Sequence, residues 1–190
     1  MRSYGIYYSY KAIGDVVIVM FDNLPATRSE NKGRVTVIYN GNNVIGYNIY
    51  NVKEVIKIKN EGLIHLPSSA LVEVLNTMLI NAEVTPLDIF EHSGYYTAQV
   101  VEINGDLITL STGINTYATK SKQPLKVNDK VVLAKAGTHL ASGEIVKDEN
   151  GVNAYICTYS ELGINADNDN VLVLEDDIEL GKDFFSSEVR

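Results

Sequence analysis

The sequence has a single cysteine (Cys157), no tryptophan, four prolines and no long apolar run. One thiol excludes an intrachain disulfide and any multi-cysteine metal site. The longest unbroken apolar stretch, Val16–Phe21, spans six residues, where a membrane-crossing helix needs about 20. No membrane partner is therefore expected. After Arg2 the opening residues hold no continuous apolar segment, so no leader peptide is expected and the chain reads as cytoplasmic. Basic residues are in the minority, 16 against 24 acidic, for a formal charge of −8. Taken alone, that balance opposes polyanionic partners.

What remains is globular composition. Apolar residues make up 45% and charged residues 21% of 190, which fits one large domain or two small ones. The acid is unevenly placed. Residues 1–90 are neutral in sum, so the whole −8 belongs to residues 91–190. Within that half, Lys120, Lys122, Lys126, Lys130, Lys135 and Lys147 face only Asp129 and Glu144 between residues 120 and 147, a local +4. Residues 161–190 carry −7. Charges segregated along a chain can form separate surface patches whatever their total, although surface lysines are also common without any partner.

Strand signals dominate. Tyr4–Tyr10, Val16–Phe21, Arg34–Tyr39 and Val44–Tyr50 are rich in β-branched and aromatic residues, and Asn40-Gly41 between the last two marks a hairpin. Glu54–Lys59 alternates like an edge strand. One helix is expected over Ser69–Ala82, started by Ser68 or Ser69 and buried along Leu71, Val74, Leu75, Met78 and Leu79. A linker falls near residues 82–92, at Thr85-Pro86. Short strands follow at Tyr95–Ile103, Leu107–Ser111, Tyr117–Lys120, Val131–Lys135, Glu144–Lys147, Ala154–Thr158 and Val171–Leu174, with Asn104-Gly105-Asp106 as a second hairpin turn. The pattern predicts an α+β domain over 1–88 and an all-β barrel or sandwich over 93–190.

Chemistry is sparse. His65, His92 and His139 share no metal-type spacing, and no metal or other cofactor is expected. Asp167-Asn168-Asp169-Asn170 opens like a calcium loop, but Leu172 stands where glycine is required and Ile178 where the bidentate glutamate belongs. Asp176-Asp177 has no nucleophile or base beside it in the sequence. No phosphate-cradling glycine pattern is present, so the chain does not read as an enzyme.

Residues 131–164 resemble the second half of the bacterial tRNA-binding domain found in the phenylalanyl-tRNA synthetase β subunit. The matching features are Val131–Ala134, Lys135, Gly137, Ser142-Gly143, Lys147-Asp148, Gly151-Val152, Ile156-Cys157 and Glu161-Leu162-Gly163-Ile164. Gly14-Asp15-Val16-Val17 and Gly46-Tyr47-Asn48-Ile49-Tyr50-Asn51 resemble the N-terminal domain of the YtpR-like tRNA-binding-domain proteins of Firmicutes. Together these cover nearly the whole chain. The resemblance implies an OB-fold, a five-stranded Greek-key barrel that binds oligonucleotides on its face and loops. It is a divergent resemblance. A hairpin at Ile103–Leu107 replaces the family's His-Pro-Asp/Asn-Ala-Asp-Lys-Leu segment. Lys120-Ser121-Lys122-Gln123-Pro124 stands for its Cys-Gly-Ala-Pro-Asn element, Asn150 for an Arg, and Ala154-Tyr155 for Gly-Met.

The expected function is therefore non-catalytic binding of tRNA or another structured RNA. Lys120, Ser121, Lys122, Lys135, Ser142 and Lys147 are the candidate contacts, with Tyr95, Tyr96 and Tyr117 as stacking residues. The competing expectation is a protein-interaction or homodimerisation module that has lost the RNA loops and presents the acidic segment 161–190.

Overall fold

A computed structural model of the chain describes residues 2–59, 61–121 and 123–186. They form two compact units, Met1–Glu91 and His92–Arg190. The first contains β1 (Gly5–Tyr8), the single turn α1 (Tyr10–Ile13), β2 (Val16–Met20), β3 (Arg28–Lys32), β4 (Val35–Asn40), β5 (Asn43–Tyr50), β6 (Gly62–Leu63) and α2 (Ser69–Asn81). The strands form one antiparallel sheet in the order β3-β4-β5-β2-β1-β6. Asn40–Asn43 makes the hairpin between β4 and β5, as Asn-Gly predicts. Gly46 is required by packing: a Cβ there would lie 2.6 Å from the Val19 carbonyl oxygen on the adjacent strand.

Alternation along the strands sends Ile6, Tyr8, Val17, Val19, Val35 and Ile49 to one face, where α2 covers them. Ser68 begins α2 by accepting the Leu71 N–H on its hydroxyl at 3.3 Å. The buried stripe is Leu71, Val72, Leu75 and Leu79. It is rotated from the expected one. Val72 is fully buried, and Val74 and Met78 are half-buried, since the sheet that the helix meets, and not residue spacing, selects the buried face.

Other elements depart from the sequence reading. β3, with the sequence RSENK, was not legible as a strand, because an edge strand carries polar side chains. Glu54–Lys59 is not a strand. A 3₁₀ turn at Val52–Glu54 passes into irregular chain whose Ile56 and Ile58 pack on the core. Tyr4–Tyr10 ends as a strand at Tyr8 and turns into α1.

The second unit contains β7 (Tyr95–Asn104), β8 (Leu107–Ser111), β9 (Thr116–Lys120), β10 (Lys130–Lys135), β11 (Ala154–Ile156) and β12 (Val173–Leu174). The path is β11-β10-β7-β8-β9, with β12 also on β10. A bulge between Val100 and Glu102 bends β7, and the sheet curls until β9 and β11 approach. Asn153 joins them: its backbone N–H donates to the Ala118 carbonyl at 2.9 Å, and its side-chain oxygen accepts the Ala118 N–H at 2.9 Å. The result is a nearly closed barrel. Glu144–Lys147 is not a strand. Only Ile145 in it makes a β-bridge, to His139.

Residues 82–92 divide physically. Leu87 is buried, and Val84 and Phe90 pack on the first core, while Ile89, Glu91 and His92 are exposed. We expect limited proteolysis to cut first within residues 89–92 and to leave two folded fragments. First cleavage within 82–88, or collapse of either fragment, would contradict this. Asn153→Ala leaves the Ala118 N–H without its acceptor. It should lower the stability of the second unit by about 1–2 kcal/mol, measured by urea unfolding. An unchanged midpoint would mean that barrel closure rests elsewhere.

Candidate nucleic-acid interface

A groove of about 640 Å³ opens on the second unit where the end of β9 faces β11. Lys120, Ser121, Ser142, Tyr155, Thr158, Ser160 and Glu161 are among the residues that line it. Three of the expected contact residues therefore converge here: Lys120, Ser121 and Ser142. Lys135 and Lys147 are exposed but do not line the groove. Lys122 lies outside the described residues.

Outside β9 and β11 the groove lining is irregular chain held by side chains. Gln123 donates from Nε2 to the Asp169 carbonyl at 2.6 Å and accepts the Val171 N–H on Oε1 at 2.7 Å. Ser160 donates to the Asp169 carboxylate at 2.6 Å. Glu161 reaches the loop opposite, where its carboxylate accepts from the backbone N–H groups of Ala141 and Ser142. The Glu161-Leu162-Gly163 motif thus has a structural content. Glu161 anchors a groove wall, and Leu162 is buried in the core beneath. Burial raises the Glu161 carboxyl above its ordinary range, and the two N–H donors offset part of that rise.

The lysines of the 120–147 stretch are largely engaged. Lys120 Nζ is 2.7 Å from Asp106, whose carboxyl is held below its usual range by that hydrogen bond. Lys147 is 3.7 Å from Glu149. Lys130 donates to the carbonyls of Asp176 and Ile178. Lys135 stands 5.4 Å over the Tyr96 ring. Asp106 and Glu149 lie outside residues 120–147 in the sequence and pair with Lys120 and Lys147. The local excess of positive charge is smaller than the sequence suggests.

Of the tyrosines expected to stack, Tyr95 is 1% exposed and donates its hydroxyl to the His139 carbonyl at 2.7 Å, so it belongs to the core. Tyr96 and Tyr117 are half-buried against the barrel core. Tyr155, not singled out in the sequence, is 37% exposed in the groove. Alternation in β11 could have found it, since Ala154 and Ile156 are buried on either side.

Cys157 is fully buried, and burial pushes its thiol well up, which keeps it protonated and inert. Asp167–Asn170 uses its polar atoms on turns: Asn168 accepts the Asn170 N–H, and Asn165 accepts the Asp167 N–H. Among the described residues, no three His, Cys, Asp or Glu side chains converge as a metal site, and no helix is long and apolar enough to cross a membrane.

The raised Glu161 carboxyl has a sign. A carboxyl titrating higher in the folded state favours folding when protonated, and that contribution is lost as pH rises through its folded pKa. Glu161→Gln keeps an acceptor for Ala141 and Ser142 without the charge. The difference in stability between variant and wild type should therefore move in the variant's favour from pH 4 to 7, in about the range where a raised carboxylate titrates. Urea melts across that range check it, and a pH-independent difference would refute it.

Two comparisons with known proteins bear on this geometry. A family described as a domain of unknown function, DUF4479, matches residues 22–87, inside the first unit. The chain is also 26% identical over 197 residues to the Bacillus subtilis (strain 168) protein named "Putative tRNA-binding protein YtpR", a match that covers 94% of this chain and 98% of that one.

Proposed function

We propose that this chain is a non-catalytic RNA-binding protein that takes tRNA or a similarly structured RNA through an OB-fold formed by residues 93–190. The observation that carries the reading is similarity over nearly the full length of both chains to a protein whose name is tRNA-binding. The barrel supports it. Successive antiparallel pairings along β11-β10-β7-β8-β9 make β9 and β11 run in the same direction where they approach, which supports reading the barrel as an OB-fold. The groove between β9 and β11 offers what unpaired RNA uses: an aromatic face at Tyr155, hydroxyls at Ser121 and Ser142, and a cation at Lys120. Lys135 and Lys147 are exposed cations for flanking phosphates, and Lys122 is a further candidate. A tRNA partner implies a cytoplasmic protein.

A second reading has its own observation. Val101, Ile103 and Leu107 are exposed on the β7–β8 hairpin, where the resemblance leads one to expect an RNA-contacting loop. With the −8 charge, this favours a protein-interaction or homodimerisation module.

Titration with labelled tRNA separates the two. Each phosphate neutralised contributes about −0.7 to −0.9 to the slope of log K against log salt, so Lys120, Lys135 and Lys147 together imply a slope of about −2 to −3. Lys120→Glu should weaken binding and reduce the slope by about one or more. Its fold should persist, because the Lys120–Asp106 pair is exposed. No binding by the wild type at about 50 mM salt would transfer the conclusion to the interaction module. Binding indifferent to salt and to this substitution would reject the groove.

A further inference from the structure

The N-terminal unit carries a second groove, of about 500 Å³, that the reading above does not use. One wall is aromatic. Phe21 meets Tyr47 edge-on at 5.0 Å and Tyr4 edge-on at 6.3 Å, and Tyr4 lies 4.7 Å from Phe90. The Arg2 guanidinium stands over the Phe21 ring, 4.6 Å from its centre. Asn42 and Asn43, from the β4–β5 hairpin, and Asp88 add polar groups to the lining, beside Val44 and residues 85–87.

The groove is preformed. Asn76 of α2 clamps the Leu87 part of the lining by donating to the Leu87 carbonyl at 2.9 Å and accepting the Leu87 N–H at 2.6 Å. The Tyr4 hydroxyl donates to the Asp88 carbonyl. Burial and the neighbouring Asp88 push Tyr4 up to about 12, so it remains a neutral donor at physiological pH. A site held this way binds without the cost of ordering its own walls.

Ligand classes can be eliminated by chemistry. A quaternary ammonium or other cation is disfavoured, because Arg2 already occupies the Phe21 face. A purely apolar ligand would strip water from Arg2, Asn42, Asn43 and Asp88 with nothing in return. A bare anion finds one cation and one carboxylate, which nearly cancel. A flat ring with both donors and acceptors along its edge satisfies all of them. Arginine planes and aromatic rings are the surfaces on which unstacked bases settle, and amide and carboxylate side chains bond base edges.

We infer that this groove binds an unpaired nucleotide, its base laid against the Arg2–Phe21 stack and its polar edge met by Asn42, Asn43 and Asp88. The same chemistry comes from two sources, a free nucleotide or an unpaired residue of an RNA chain. The inference stands on the first unit alone and does not rest on the reading of the barrel.

The test uses the full chain, followed by NMR at the Phe21 and Tyr47 ring resonances. The probes are the four ribonucleoside 5′-monophosphates and a single-stranded hexaribonucleotide of mixed sequence. Saturable shifts at these rings are expected. Equal affinity for monophosphates and hexamer assigns a free nucleotide, and binding of the hexamer alone assigns RNA. Either result supports the site. Arg2→Ala should weaken binding about tenfold. Arg2→Lys should weaken it nearly as much, because an ammonium does not replace a stacked guanidinium. Phe21→Leu keeps the apolar volume and should also lose affinity, and circular dichroism of each variant checks that the fold is retained. No saturable shift with any probe overturns the inference, as does full affinity in Arg2→Lys. Loss of binding in Lys120→Glu with Arg2→Ala unaffected would move the ligand to the barrel and overturn it equally.

Discussion

A sheet that bends toward closure leaves backbone donors and acceptors at its edges, and satisfying them organises the second unit. Each unpaired buried peptide group costs as much as a lost hydrogen bond. β8 covers β7 only from Gln99 onward, which leaves Tyr95–Thr97 open on that side. The chain between residues 181 and 184 fills the gap: Gly181 N–H bonds to the Thr97 carbonyl, Thr97 N–H to the Lys182 carbonyl, and Phe184 N–H to the Tyr95 carbonyl. β12 and β11 share the far edge of β10 in succession. At the remaining seam Asn153 stands in for a strand. The acidic C-terminal segment is thus part of the barrel wall through its backbone, whatever its side chains do. Asp183 is tied down too, accepting from the N–H and hydroxyl of Ser93 at 2.6 and 2.7 Å.

Side-chain amides do a related job at both grooves. Asn76 with Leu87 and Gln123 with Asp169 and Val171 each engage the backbone of a distant segment through both amide ends. An amide carries one donor end and one acceptor end, so it can copy the rung of a ladder where no strand is available. Irregular chain pinned this way can wall a groove at fixed spacing. That is the property a binding surface needs, because ordering loops on contact subtracts from affinity.

The sequence was most informative where backbone conformation is local. Asn40-Gly41 and Asn104-Gly105 sit at hairpin turns, and Gly105 has φ of +66°. Ser68 marks the start of α2 because a single hydroxyl satisfies a nearby N–H. Long-range geometry was less visible. RSENK becomes a strand only because β4 offers it an edge. Lys120 belongs to a positive run in sequence, yet Asp106, fourteen positions earlier, neutralises it across the β8–β9 pair. Glu161 and Gln123 are visible as residues, but their partners Ala141, Ser142, Asp169 and Val171 lie far away in the sequence. Tyr155 is legible only from the alternation of its own short strand, between buried Ala154 and Ile156.

Electrostatics then constrains how any RNA could be held. Lys120 already has an anion, so a phosphate arriving there exchanges one carboxylate for another negative group. The Coulombic gain of such an exchange at an exposed site is small. The favourable remainder is release of counterions from the RNA, which salt suppresses. The net −8 adds repulsion, but screening confines it to about 10 Å at 0.1 M salt. On the proposed reading, affinity at physiological salt would come from contacts that do not depend on charge, such as stacking on Tyr155 and hydrogen bonds from Ser121 and Ser142. A protein of this charge would bind weakly to duplex phosphate in general and prefer RNA with bases free to leave their stack. On that reading, the net charge of −8 would itself disfavour double-stranded polyanions.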